Sequence, residues 1–386
     1  MPDQNTMPIP YPPDGPPPRS THRPAVRAAL IAALATLVLV LPVGLYLLLR
    51  TGSEPTRPAA PPATTGQTIS PTPSATSSRP RVPDGRISLQ TLKNATLVIP
   101  RWPSDNVRGP SGALRFRDGR VAVPFRTAPV GEPPVGSEID ILSVRYGDVD
   151  RDGADETIAE IGCLVEGGSK QLVAFDRDRS GHIVTLGRVV ATTGAIRDLD
   201  PDSAGVASNG TVTVRVSDYQ RCCGDETPQR WQTRGYRWHD GRFEQVSGPT
   251  VMIANPYVSE TRIGAGALVL GPVVDGYRSG TVTITITHGW GTRPDHVRLR
   301  FFPPADLERT GTAWPPVTSD QVAFTVTLDP PRSGLSVTRT FAFRAPATSS
   351  GGELAVEVEG LNRGGQPMSE AVPWNNTAVA SIRFAD

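Results

Sequence analysis

The first feature of the hydrophobic pattern is one long uncharged run from Ala28 to Leu49. As a helix, its roughly 22 residues would span about 33 Å, enough to cross the hydrocarbon core of a bilayer. A secretory signal core is shorter and is followed closely by a small-residue cleavage site. The run therefore predicts a transmembrane helix over residues 25–50 that anchors the chain in the cytoplasmic membrane. Cleavage near Ala59–Ala63 is the alternative.

The sequence on either side of this run is polar. Three arginines lie shortly before it and two shortly after it, a bias that favours an N-terminus inside the cell. Residues 1–24 are rich in Pro and predict a disordered cytoplasmic tail. Residues 51–85 are rich in Pro, Thr and Ser and predict a disordered, extended linker. Everything after the helix is then expected outside the cell.

Between residues 86 and 250 the pattern changes to short runs in which β-branched and apolar residues alternate with polar ones. A period of two, broken by Gly, Pro and Asp turns, predicts strands and hairpins with little helix. In the run Glu156–Val165, the residues Ala159, Ile161 and Cys163 share one apolar face, so Cys163 is predicted to point into a core.

A turn inside this region carries the most informative motif, YGDVDRDGADE, which ends at Glu156. Acidic residues occupy positions 1, 3, 5 and 9 of a loop, with Gly153 at position 6, and such spacing can fold oxygen ligands around one Ca²⁺. Without a cation these carboxylates would repel one another. The motif is not an EF-hand, because position 12 is Ala159 and strands flank it; an Asx-rich turn without metal is the alternative. The predicted ligands are the side chains of Asp148, Asp150, Asp152 and Glu156 and the main-chain carbonyl of Ala154.

On these residues the region resembles the FG-GAP/VCBS repeats, whose D-x-D-x-D-G-x-x-D/E loop joins two strands. The resemblance implies a β domain over residues 86–250 with structural calcium. The sequence departs from the propeller members of that family, since it has one good copy of the loop. Two weaker acidic segments, Phe175–His182 and Asp198–Asp202, are predicted to be ordinary polar turns.

The three cysteines of the chain are Cys163, Cys222 and Cys223. In an exported protein an odd count indicates one disulfide with a spare thiol. We expect Cys163 to pair with Cys222 or Cys223; a vicinal pair with Cys163 left over is the alternative. A single cysteine after the acidic loop and a later Cys-Cys pair also resemble actinobacterial envelope proteins. Zinc is disfavoured, because no histidine stands at ligand spacing.

Residues 251–386 contain strand-like runs at regular spacing, separated by Pro- and Gly-rich turns. Seven short strands predict an immunoglobulin-like β-sandwich with a core of alternating Val, Ile, Leu and Phe. The segment Gly280–Thr292, the hairpin RSGLSVTRTF and the closing run with Asn375 and Asn376 resemble the CARDB-like adhesion and spacer domains of bacterial surface proteins. Three tryptophans (Trp290, Trp314 and Trp374) could form a binding face, or pack in the core.

The net charge of the chain bears on the class of partner. A net charge of +1 gives no field that would favour nucleic acid. The sequence therefore predicts a mostly β, membrane-anchored extracellular protein that binds cell-wall polysaccharide or a surface protein, or organises the envelope, with structural calcium and without catalysis. The alternatives are a sensor that couples an extracellular ligand to a cytosolic partner, and an envelope enzyme.

The predicted topology can be tested on intact cells. Protease added outside should remove the chain beyond residue 51 and leave the N-terminal tail intact, because the membrane shields only the cytoplasmic side. Immunoblotting with tags at both ends checks this, and permeabilised cells are the control. Recovery of the full ectodomain as a soluble protein in the medium would contradict an uncleaved anchor.

Overall fold

The computed structural model describes residues 83–165, 167–200, 202–222 and 224–385. The predicted tail and transmembrane segment, and nearly all of the predicted linker, lie outside these residues. Among the described residues, no helix is long and apolar enough to cross a membrane. Strands dominate the described chain, as the sequence predicts.

The N-terminal part begins with a short helix, α1 (Leu89–Lys93), in which the Ser88 hydroxyl accepts a hydrogen bond from the Thr91 amide. Twelve strands follow in the described residues up to Ser247. They are β1 (Thr96–Ile99), β2 (Gly112–Arg115), β3 (Arg120–Ala122), β4 (Glu138–Gly147), β5 (Glu156–Val165), β6 (Gly167–Arg177), β7 (Ile183–Ala191), β8 (Asp198–Leu199), β9 (Gly205–Val206), β10 (Thr211–Ser217), β11 (Trp231–His239) and β12 (Arg242–Ser247).

These strands form three layers. The central layer is the antiparallel sheet β3-β4-β5-β6-β7, and a second sheet runs β12-β11-β10-β8, with β9 also paired to β10. The hairpin β1-β2 and α1 cover the other face of the central sheet. One core, with Ile161 and Phe175, lies on the hairpin side; the other, with Ile158 and Val214, lies on the side of the second sheet. The central sheet is therefore buried on both faces.

Because β5 is buried on both faces, its polar residue Glu160 lies in the interior. The carboxylate of Glu160 is almost fully buried, and burial raises its pKa to about 7. Lys170 on β6 lies beside it, with its Nζ 3.8 Å from Glu160 Oε1 and 2.6 Å from Asp198 Oδ1. A charge buried in this way needs such partners, because an isolated ion loses its hydration.

The C-terminal part forms one continuous sheet with a single core. The strands are β13 (Val258–Ala265), β14 (Leu268–Val274), β15 (Tyr277–Gly291), β16 (His296–Phe302), β17 (Glu308–Arg309), β18 (Val317–Ser319), β19 (Phe324–Leu328), β20 (Leu335–Pro346), β21 (Gly352–Leu361), β22 (Ser369–Glu370) and β23 (Thr377–Phe384). Their order in the sheet is β17-β20-β15-β14-β23-β21-β16-β19-β18, with β13 paired to β15 and β22 paired to β13. A 3₁₀ helix (Pro373–Asn375) precedes the last strand.

The seven predicted runs of this part are all strands, namely β14, β15, β16, β19, β20, β21 and β23. Their inward residues form the core, as expected for a β-sandwich. At its centre, the buried ring of Phe301 stacks on Phe324 at a centroid distance of 4.9 Å and meets Phe341 edge-on at 5.0 Å. Trp314 closes this cluster against Phe343 at 5.3 Å. The aromatic rings fill the sandwich without a disulfide–tryptophan centre.

A small apolar cluster joins the two parts. Val258 and Ala371 pack there with the rings of Trp290 and Trp374, and Trp374 also packs against the hairpin-side core of the N-terminal part. The guanidinium of the buried Arg197 lies 5.5 Å from the centre of the Trp374 ring. Trp290 and Trp374 therefore lie at the joint between the two parts, and Trp314 packs against the sandwich core.

Candidate metal centre

The acidic motif forms the turn between β4 and β5, whose last paired residues are Gly147 and Glu156. Three aspartates fold the turn by accepting hydrogen bonds from main-chain amides. Asp148 Oδ2 accepts from Gly153 N at 3.2 Å, Asp150 Oδ1 from Asp152 N at 3.1 Å, and Asp152 Oδ1 from Ala154 N at 2.9 Å. The predicted turning glycine has a φ of 93°, a left-handed value that glycine adopts without strain.

The turn brings three of the predicted ligands together. Carboxylate oxygens of Asp148, Asp150 and Glu156 lie within 4.8 Å of one another. Asp152 is exposed and does not belong to this group. The main-chain carbonyl of Ala154 stays a predicted ligand. Four side chains were predicted from the sequence as ligands, and the described structure gathers three of them.

Glu156 is the least solvated member of the group, with none of its surface exposed. Its Oε2 accepts hydrogen bonds from Val149 N at 2.7 Å and Asp150 N at 3.4 Å. Its Oε1, like Asp148 Oδ1, has no hydrogen-bond partner among the described residues. Burial raises the pKa of Glu156 to about 8. A buried, unpaired carboxylate oxygen is costly, and an ion bound to it would remove that cost.

A further carboxylate, Asp176 on β6, lies next to this group. Thr157 lies opposite Phe175 in the β5–β6 pair, so the next position places Asp176 opposite Glu156. Like charges directly opposite each other on neighbouring strands are destabilising. Burial raises the pKa of Asp176, and the same is true of Asp150. Asp176 was not among the predicted ligands, because only the register of β5 and β6 brings it opposite Glu156.

The chemistry of these donors favours a hard cation. All the gathered ligand atoms are carboxylate oxygens, which Ca²⁺ and Mg²⁺ prefer, and Ca²⁺ accepts the less regular geometry of a loop. Three carboxylates with a fourth on the adjoining strand carry enough negative charge for a divalent ion. The residues present therefore fit a hard divalent cation, the class to which the predicted calcium belongs.

Asp176 is the first acid of the weaker segment 175–182. The other acidic side chains of the two weaker segments have partners of their own. Asp178 Oδ1 accepts from the amides of Ser180 and His182, both at 2.9 Å. Asp198 pairs with the Lys170 ammonium, and Asp200 Oδ2 lies 3.0 Å from Arg215 Nη1. These three carboxylates need no cation.

The predicted disulfide from Cys163 is wrong. Cys163 is a free, buried thiol in the hairpin-side core, as its strand face predicts. Its Sγ lies 3.5 Å from the Arg108 carbonyl oxygen. Cys222 follows β10, which lies across the central sheet from that core, and it is disulfide-bonded to a residue other than Cys163. Cys223 lies outside the described residues. The alternative in which Cys163 is the spare thiol fits these observations.

Comparisons with known proteins give no family for the chain. No protein-family model and no curated protein match it. Similar solved structures include a non-cellulosomal cohesin from Archaeoglobus fulgidus (14% identity, 33% of this chain and 92% of that chain, TM-score 0.22). They also include a collagen adhesin from S. aureus (7% identity, 58% and 90%, TM-score 0.19). Likenesses this weak carry no argument, and the FG-GAP/VCBS and CARDB resemblances stay predictions.

The state of Cys163 can be tested by alkylation of the unreduced protein. Burial raises the pKa of its thiol to about 11, and only a thiolate reacts readily. In the folded protein, iodoacetamide should label Cys163 at less than about a tenth of its rate in denaturant. Peptide mass mapping checks this, with labelling in denaturant as the control. A Cys163 peptide cross-linked to another cysteine would contradict the assignment.

Proposed function

We propose that this chain is a membrane-anchored extracellular binding or adhesion protein whose N-terminal β part is stabilised by one calcium ion. The ligands are Asp148, Asp150 and Glu156, with Asp176 beside them. The observation that carries the calcium assignment is the fully buried Oε1 of Glu156, which lacks a partner among the described residues and shares a 4.8 Å cluster with two other carboxylates. The role is structural, since the ion would hold a turn at the edge of a buried sheet.

The arrangement favours a structural ion over a catalytic one. Three of the four aspartates of the turn accept hydrogen bonds from main-chain amides of the same turn, so these side chains shape the backbone. Glu156 opens β5, the strand buried on both faces, so an ion there would join the loop to the centre of the N-terminal part. Extracellular calcium modules have dissociation constants of about 10⁻⁴–10⁻³ M, which suits a site that stays occupied outside a cell.

The binding role in this proposal falls to a groove on the C-terminal part, with a volume of about 640 Å³. Alternating donors and acceptors line it, including the ion pair between Arg300 and Asp320 at 3.0 Å and the carboxylates of Glu357 and Glu370. Glu370 is fixed in place, because it accepts from the Thr261 amide at 3.0 Å and from two further donors. A groove lined by charged and polar side chains suits a polar polysaccharide or a charged protein segment.

Calcium should raise the melting temperature of the full chain. An ion that binds only the folded state at 100 times its dissociation constant stabilises it by about 2.7 kcal/mol. The double variant Asp148→Asn, Asp150→Asn should lose this rise, whereas Asp178→Asn should keep it. Differential scanning calorimetry with calcium and with a chelator measures the effect. Identical melting under both conditions would leave only the metal-free turn.

The groove can be tested with purified cell wall as the probe. The full chain should sediment with it saturably, and the double variant Arg300→Ala, Glu357→Ala should bind at least about tenfold more weakly, since one tenfold step corresponds to about 1.4 kcal/mol. Arg339→Ala, an exposed change on β20, is the matched control. Equal binding by all three proteins would contradict the assignment of the groove.

A further inference from the structure

The candidate metal centre lies beside the segment through which the chain enters the N-terminal part. We infer that calcium at this centre also fixes residues 83–87 against β5 and the loop, so that the ion controls how often this segment opens from the β part. The inference rests on the proposed calcium site and adds a second role to it. We name residues 83–87 the entry segment.

The first support is the contact between the entry segment and Asp176. Gly85 is buried, and a Cβ at this position would lie 2.3 Å from Asp176 Oδ1 and 2.7 Å from the Asp155 carbonyl oxygen. Only glycine leaves room for this approach. Gly85 therefore packs directly on a carboxylate of the centre and on the loop that carries the others, although its composition places it in the predicted linker.

The second support is the set of hydrogen bonds that hold the segment to β4 and β5. Thr157 Oγ1 donates to the Gly85 carbonyl and accepts from the Ile87 amide, both at 2.8 Å. The Tyr146 hydroxyl donates to the Ile87 carbonyl at 3.1 Å. Thr157 follows Glu156 directly, so the residue that binds the segment adjoins the most buried ligand.

The third support is an ion pair that joins the segment to the loop itself. Arg86 Nε lies 2.7 Å from Asp155 Oδ2. Asp155 directly precedes the ligand Glu156 in the loop. Without a cation, the carboxylates of Asp148, Asp150 and Asp176 repel one another and push apart the loop and β6. Both surfaces that hold Gly85 and Arg86 then separate. With a cation they are drawn together, and the entry segment is held between them.

Coupling of this kind is reciprocal, because two events that stabilise each other do so by the same factor. Calcium should slow the opening of the entry segment, and loss of the segment's contacts should weaken calcium binding. A simple charge effect predicts the opposite for Arg86, since removal of a positive charge near the site would favour a cation. The two explanations therefore differ in sign.

The first measurement is hydrogen exchange of the full chain in detergent, with calcium and with a chelator. Calcium should slow exchange in the peptide 83–92 at least about tenfold, because the Ile87 amide can exchange only when the segment opens. If calcium binds and protects residues 148–156 while 83–92 exchanges at an unchanged rate, the inference is wrong and the proposed calcium site stands. If titration calorimetry detects no calcium binding, the proposed site fails and the inference fails with it.

The second measurement is the calcium affinity of Arg86→Ala, which removes no ligand oxygen. The inference predicts binding several-fold weaker than in the unaltered chain. Arg115→Ala removes the same charge from an exposed position on β2 and should leave the affinity within a factor of two. Unchanged or tighter calcium binding by Arg86→Ala would overturn the inference.

Discussion

The N-terminal part depends on one constraint, which is that β5 is buried on both faces and yet begins with a carboxylate. Nearly every residue of this strand is excluded from solvent, including Glu156 and Glu160. Each buried carboxylate needs hydrogen-bond donors or a cation beside it, because burial removes its hydration. For Glu160 the compensation is Lys170 on the neighbouring strand. For Glu156 no cationic side chain is provided among the described residues, and two main-chain amides satisfy only one of its oxygens.

This difference explains the layout around the candidate metal centre. Where a lysine is present, the acidic neighbours are drawn into a hydrogen-bonded ion cluster. Where it is missing, the neighbours are further acids, Asp148, Asp150 and Asp176. The same sheet thus compensates one buried carboxylate with an internal cation, and in the proposed function a bound calcium ion would compensate the other. At the proposed extracellular location, calcium would be continuously available to that site.

The sequence was sufficient where the signal is local. Period-two alternation predicted seven of the eleven strands described in the C-terminal part, and the inward face of Cys163 was predicted in the same way. The alternation pattern did not predict β13. Its residues Ser259, Glu260 and Thr261 are polar and yet buried at the joint between the two parts, so they give no apolar alternation. The loop ligands lie within nine residues and share a motif, whereas Asp176 joins them only through strand register. Strand alternation also predicts the face on which Cys163 lies. It does not predict which segment covers that face, so it could not identify a disulfide partner.

The interiors of the two parts differ in composition, and the two parts are in contact through an apolar joint. The C-terminal core is apolar and centred on stacked aromatic rings, so its packing needs no ion. The N-terminal part places carboxylates in its interior, where Lys170 compensates Glu160 and the proposed ion would compensate Glu156. Trp374 packs against both the joint and the hairpin-side core, under the guanidinium of Arg197. That same core contains Phe175, the residue beside Asp176, and Ile87 of the entry segment. One continuous apolar core therefore connects the candidate metal centre, the point where the chain enters and the tryptophan that holds the C-terminal sandwich.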